Sequence, residues 1–176
     1  MKETVYFVFD CESIGIHGEC YAVAGGVYRR DGAAISEFKY AADLTQAQGL
    51  ASDREWVNQN IPHIQETHRN QQGIRNAFWL EWCGVKAFHP DVQMAVECGW
   101  PVEARFLNAC IDDDKEGRNF EGPYPLMEIA TYMEAAGLDP MATYERLPDE
   151  LPKHDPLCDA RQSMRLLKLA LDILDK

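Results

Sequence analysis

Thr4-Val5-Tyr6-Phe7-Val8-Phe9-Asp10 is an unbroken run of apolar, mostly aromatic and β-branched residues that ends on a carboxylate. It lacks the polar alternation of a half-exposed strand, so it predicts a strand buried on both faces. Two further strands are expected over Tyr21–Arg29 (YAVAGGVYR) and Ala33–Tyr40 (AAISEFKY), separated by Arg30-Asp31-Gly32. The Asp-Gly pair supplies the positive φ angles of a tight hairpin, so the opening third reads as a three-stranded antiparallel meander.

Beyond the meander the pattern changes. Ser52-Asp53-Arg54-Glu55 is a capping-box pattern, predicting the start of a helix that Pro62 ends or bends. A second helix is expected over Gln72–Cys83, closed by Gly84. Val92–Glu97 (VQMAVE) reads as a strand, and Pro101 suits the first position of a helix running to about Cys110. Pro125–Ala130 (PLMEIA) fits strand and helix equally; Thr131–Ala136 is expected as helix, ended by Gly137. Asp155-Pro156 pairs an N-cap with a proline at the first helical position. It opens a long C-terminal helix in which Met164, Leu167, Leu171 and Leu174 form one apolar stripe. A meander followed by alternating strands and helices predicts an α/β fold, a mixed sheet with helices on its faces. No repeat, low-complexity tract or Gly/Ser linker interrupts residues 1–176, which read as a single domain.

The chain has 176 residues, 46% of them hydrophobic, enough for one domain with a real core. No apolar run reaches the roughly 18 residues of a membrane span. Met1-Lys2-Glu3-Thr4 lacks the basic segment and apolar stretch of a signal peptide. Six scattered cysteines without a CxxC pair read as reduced thiols, giving a cytoplasmic expectation. The formal charge of −12 argues against tight, non-specific binding along a nucleic-acid backbone. Carboxylates gathered around metal ions are the exception, since bound cations offset them.

Three constellations can carry chemistry. Asp10 and Glu12 end the first strand, and alternation points both carboxylates to one face. Adjacent anions repel, and a hard cation between them, Mg²⁺ or Mn²⁺, removes that cost. His154 and Asp159 flank the capped start of the last helix, whose N–H groups help hold a carboxylate ionised. A neutral imidazole on the preceding loop can accept a proton from water. Glu103 lies in the first turn of the helix after Pro101. Each has an ordinary reading when taken alone: a strand end, a surface histidine beside a cap, and a first-turn glutamate favoured by the helix dipole. Glu97 and Asp155 are lesser members of the same set.

Together, Val8-Phe9-Asp10-Cys11-Glu12-Ser13, Val102-Glu103-Ala104-Arg105-Phe106-Leu107 and His154-Asp155-Pro156-Leu157-Cys158-Asp159-Ala160 occur in an order that resembles the DEDDh 3′–5′ exonuclease superfamily. That superfamily includes the polymerase III proofreading subunit, RNase T and oligoribonuclease. The resemblance implies an RNase H-like fold with a mixed five-stranded sheet, its antiparallel meander followed by parallel strands. It implies two Mg²⁺ or Mn²⁺ ions, roughly 4 Å apart, held by Asp10, Glu12, Glu103 and Asp159. His154 would be the general base in releasing 5′-mononucleotides from the 3′ ends of single-stranded RNA or DNA. RNA is favoured by analogy with short stand-alone members, and the dimeric relatives imply a homodimer. Trp79, Trp82 and Trp100 are available for base stacking, Trp100 lying closest in sequence to a motif, although core packing is the more ordinary role for each. Arg105, Lys153 and Arg161 flank the motifs and are candidates to meet phosphates, a solvated surface role being the more ordinary one.

Two positions depart from the family pattern: Glu103 stands where Asp is usual, and Cys11 where Thr or an aliphatic residue is more frequent. Residues 45–90 align with none of the best-known members and read as a helical insertion. The alternative reading is a nucleic-acid-binding domain of the same fold with impaired catalysis. An RNase H-like endonuclease would share the acidic cluster but leaves His154 without a role.

Overall fold

The computed structural model describes residues 4–176; Met1–Glu3, part of the N-terminal segment read above, lie outside the described residues. Strand β1 (Val5–Ser13) is flanked by β2 (Cys20–Arg29), which in turn pairs with β3 (Ala34–Ala41). Both pairings are antiparallel, giving the expected meander. The β2–β3 hairpin closes through Arg29 and Ala33, with Gly32 at φ +91°, a conformation open to glycine. On its other side β1 pairs in parallel with β4 (Gln93–Val96), and β4 with the short β5 (Met127–Glu128). The fold is therefore α/β, with a five-stranded mixed sheet in the order β3-β2-β1-β4-β5.

Alternation along β1 divides the core. Phe7, Phe9 and Cys11 face helices α2 (Gln71–Phe88) and α3 (Val102–Asp112), against Ile74, Phe78, Trp82 and Phe106. The rings of Phe7 and Phe78 meet edge to face at 5.6 Å. Tyr6 and Val8 face the other way, towards α5 (Ile129–Ala135) and α6 (Pro156–Leu174), against Met133, Met164 and Leu167. Burying one such aromatic or aliphatic side chain contributes about 1.5–3 kcal/mol, so β1 is the spine of the molecule. A smaller apolar cluster packs Val57 of α1 (Ala51–Asn60) against Ile14, Tyr21 and Ala41. One-turn helix α4 (Lys115–Arg118) and a 3-10 turn (Pro148–Glu150) complete the elements.

Several boundaries differ from expectation, each for a local reason. The strand β1 runs past both Asp10 and Glu12 because its ladder with β2 continues to Ser13. The capping box at Ser52 does not form: α1 starts at Ala51 behind Leu50. Arg54 instead donates to the carbonyls of Leu44 and Ala47, tying the helix to the loop before it. Gly84 does not close the second helix. It sits within α2 facing open space, Val85 keeps the helix packed on the core, and the stop comes at His89, ahead of Pro90. Pro101 is the N-cap of α3 rather than its first residue. The ambiguous Pro125–Ala130 stretch divides into β5 and the start of α5. The apolar stripe of α6 stops short of Leu174, which is exposed. Within residues 45–90, α2 covers one face of the sheet. No helix of the described residues is long and apolar enough to cross a membrane.

Candidate active site

Strand β1 delivers the first two acids. Asp10 and Glu12 alternate with Phe9 and Cys11, and so emerge on the face that α6 covers. Register across the ladder, Asp10 opposite Ala24 and Glu12 opposite Ala22, leaves only small neighbours on β2 beside them. An irregularity between Glu12 and Ser13 bends the strand just beyond the pair.

Helix α6 brings the next elements. Asp155 caps it, accepting from the N–H groups of Leu157 and Cys158, and also pairs with Lys39. Asp155 is therefore occupied with structure. The cap places Asp159 in the first turn, where Oδ2 accepts the backbone N–H of His154 at 3.1 Å. Ligand atoms of Glu12, His154 and Asp159 all lie within 4.8 Å of one another. His154 Nδ1 is 3.8 Å from Glu12 Oε1, and its ring is about half exposed.

Helix α3 reaches the same place from the opposite layer. Phe106 and Leu107 anchor it in the core, and Glu103 in its first turn is buried. Burial pushes the Glu103 carboxyl up to about 7, against the pull of the backbone N–H groups of Glu103 itself and Cys11, with Glu97 adding to the rise. Burial likewise pushes Glu12 up to about 8, helped by Asp159, Glu103 and Asp155. Asp10 is raised well above its ordinary range, by burial first and then by Glu103, Asp159, Glu12 and Glu97. Glu97, just beyond β4, accepts from Ser163 Oγ at 3.1 Å. Asp10, Glu97 and Asp159 share a cleft of about 210 Å³ with Arg146 and Lys153.

For a divalent cation the donor set fits. Carboxylate oxygens of Glu12 and Asp159, from β1 and α6, come within 4.8 Å of each other and of His154, while Asp10 and Glu103 lie outside that group and act on it through charge. The mutual repulsion of the four acids is the cost a cation removes. Asp10, Glu12, Glu103 and Asp159 could hold such ions, with His154 at the rim.

The other residues singled out from sequence divide sharply. Trp79 and Trp82 are buried, the latter donating its indole N–H to the Glu121 carbonyl, so neither is open to a ligand. Trp100 is exposed on the loop before α3. Arg105 faces a separate depression shared with His17 and Arg75. Arg161 is held by Glu37, through two guanidinium nitrogens, and by the Asp149 carbonyl; it is a structural cation rather than a free phosphate ligand. Lys153 alone of the expected cations lines the acidic cleft.

Two neighbours were missed. Trp56 on α1 is 52% exposed, with its ring edge to face with His154 at 6.2 Å. Arg146 donates to Asp159 Oδ1 and, at 2.8 Å, to the Glu150 carbonyl. Neither sits in a motif, and the polar character of α1 around Val57 is the only local hint that Trp56 has no core to fill. Compared with known proteins, the chain matches no family model and no curated protein.

Proposed function

We propose that this chain is a two-metal-ion 3′–5′ exonuclease of RNase H-like fold, releasing 5′-mononucleotides from single-stranded nucleic acid, RNA in preference to DNA. The observation that carries the reading is the convergence of Glu12, His154 and Asp159, from the first strand and the start of the last helix, around one point. The strand order, with β1 between an antiparallel and a parallel neighbour, is compatible with it.

Two Mg²⁺ or Mn²⁺ ions held by Asp10, Glu12, Glu103 and Asp159 would supply Lewis-acid activation of water and charge stabilisation at the leaving oxygen. The residues do the rest. His154, half exposed beside Glu12, takes the proton from the water whose oxygen attacks phosphorus. The bond to the 3′ oxygen of the preceding nucleotide breaks, and that oxygen leaves with a proton from solvent. Lys153 meets the phosphate at the cleft wall. Trp56 offers a base the flat apolar surface that single strands require. The same reading has the protein act in the cytoplasm, as its dispersed cysteines suggest.

A binding domain without catalysis is favoured by one observation, the presence of Arg146 on Asp159. The test uses 5′-labelled single-stranded RNA and DNA with Mg²⁺ or Mn²⁺, beside EDTA and Asp10→Ala controls, on a sequencing gel. A ladder shortening from the 3′ end and lost in both controls is the expected result. Internal fragments would favour an endonuclease, and no cleavage with either metal would favour the binding domain.

A further inference from the structure

Both oxygens of Asp159 are already engaged. Oδ1 accepts from the Arg146 guanidinium and Oδ2 from the His154 backbone N–H. Among the described residues, Asp10, Glu12 and Glu103 have no Lys or Arg partner of this kind, whereas Asp159 has its own cation. Arg146 is mostly buried, held by the Glu150 carbonyl at 2.8 Å, and lines the cleft beside Asp10 and Glu97. Its Nε is buried without a partner. A buried donor left unmade is costly, so the guanidinium occupies this seat with one bond unsatisfied.

We infer that Arg146 competes with a divalent cation for Asp159, so that the site fills in sequence: a first ion through Asp10, Glu12 and Glu103, and a second only as the Arg146–Asp159 pair yields. This rests on the two-ion reading above. A cation entering at Asp159 must take an oxygen from Arg146 or from the His154 N–H. The guanidinium carries the same sign of charge as the ion, and the amide does not, so Arg146 is the partner repelled. Arg146 is thereby a positioning residue. It holds the Asp159 carboxylate in place while no ion is there, and sets the affinity of the second ion.

The experiment titrates Mn²⁺ into the full-length protein, following free Mn²⁺ by electron paramagnetic resonance and heat by calorimetry. Wild type, Arg146→Met, Asp159→Asn and the double variant form a cycle. Wild type should bind one ion tightly and a second at least about tenfold more weakly, tenfold being ~1.4 kcal/mol. Arg146→Met should tighten the second ion by about tenfold in the wild-type background and leave it unchanged beside Asp159→Asn. A second ion unchanged or weakened in a folded Arg146→Met protein overturns the inference, as does an equal effect in both backgrounds. Should Arg146→Met fail to fold, Arg146→Gln carries the test: it removes the charge but keeps a donor for the Glu150 carbonyl, and must bind the second ion more tightly than wild type. Absence of any Mn²⁺ binding that Asp10→Asn removes overturns the two-ion reading and this inference together. Asp10-dependent binding indifferent to Arg146 overturns this inference alone.

Discussion

Nδ1 of His154 stands 3.8 Å from Oε1 of Glu12, although the two residues lie near opposite ends of the chain. His154 has φ +62°, and its backbone N–H is bonded to Asp159 Oδ2. A non-glycine residue in the left-handed region is held there by its surroundings, and such residues cluster at functional sites. The expected base and the expected metal ligand are therefore one mechanical unit at the head of α6, facing the strand that carries the other acids.

Replacing His154 with Ala should slow hydrolysis by about 10²- to 10⁴-fold, the range of a lost general base, while Mn²⁺ still binds. Single-turnover hydrolysis and calorimetric titration on the same preparation separate the two effects. Activity and Mn²⁺ affinity falling together would make His154 a ligand, a role its distance from Glu12 and Asp159 also permits.

Asp10→Asn should have two opposite consequences. Hydrolysis should drop by about 10³-fold or more, because charge stabilisation is the largest catalytic contribution. The metal-free protein should melt at a higher temperature, because a buried carboxylate repelled by Glu103, Asp159 and Glu12 has been neutralised. Normal turnover in this variant would remove the assigned site altogether.

Stability should depend on pH in a direction set by the cluster. Glu12 rises from an ordinary 4.5 to about 8 on folding. Between those values the folded chain holds a proton that the unfolded chain has lost, so stability falls as pH rises through this window. Glu37 has the opposite sign: Arg161 holds its carboxyl below the usual range, with Tyr28 adding to this, so its contribution is lost as pH falls. Metal-free protein should therefore melt highest near the acid end of the window and lower towards pH 8, with Mn²⁺ raising the melting temperature most at the alkaline end. Thermal melts in EDTA and in Mn²⁺ across the range check this; a metal-free melting temperature that climbs towards pH 8 would contradict it.

The two kinds of tryptophan should respond differently. Trp56→Ala should raise KM for a single-stranded substrate by about tenfold, in the range of one lost base stack, with little change in melting temperature. Trp79→Ala should instead destabilise the fold by about 3–5 kcal/mol, because that ring is buried in the core. Steady-state kinetics and denaturant titrations on both variants distinguish a platform from a core residue.

Glu103→Asp restores the residue usual in the resembled family but draws the carboxylate back by one methylene. Here Glu103 is buried, and the nearby backbone N–H groups of Glu103 itself and Cys11 favour its ionised form, so the shorter side chain should draw the carboxylate away from them. A displacement of this size can cost about 10²-fold in rate, and loss of that order is expected. Higher activity in Glu103→Asp would mean that Glu103 weakens the site in this chain.

Local spacing by itself determined a good part of this molecule. The apolar run ending at Asp10 specified a strand buried on both faces, alternation put Asp10 and Glu12 on one of them, Gly32 alone of the Asp31-Gly32 pair supplied the positive φ of the hairpin, and Asp155-Pro156 opened α6 with Asp159 in its first turn. These features depend on φ, ψ and side-chain period, which neighbours in the chain control. Tertiary structure alone decided the rest. The ladder with β2 carried β1 through Ser13, packing on the core kept α2 going past Gly84, and the layers on β1 buried Trp79 and Trp82. It set Arg161 on Glu37, Arg146 on Asp159 and Trp56 beside His154. Each of those pairings joins residues from different elements, and no motif spacing encodes the distance between them. That distance is set by strand pairing and by the way helices close over the sheet, through contacts that exist only once the whole chain has folded.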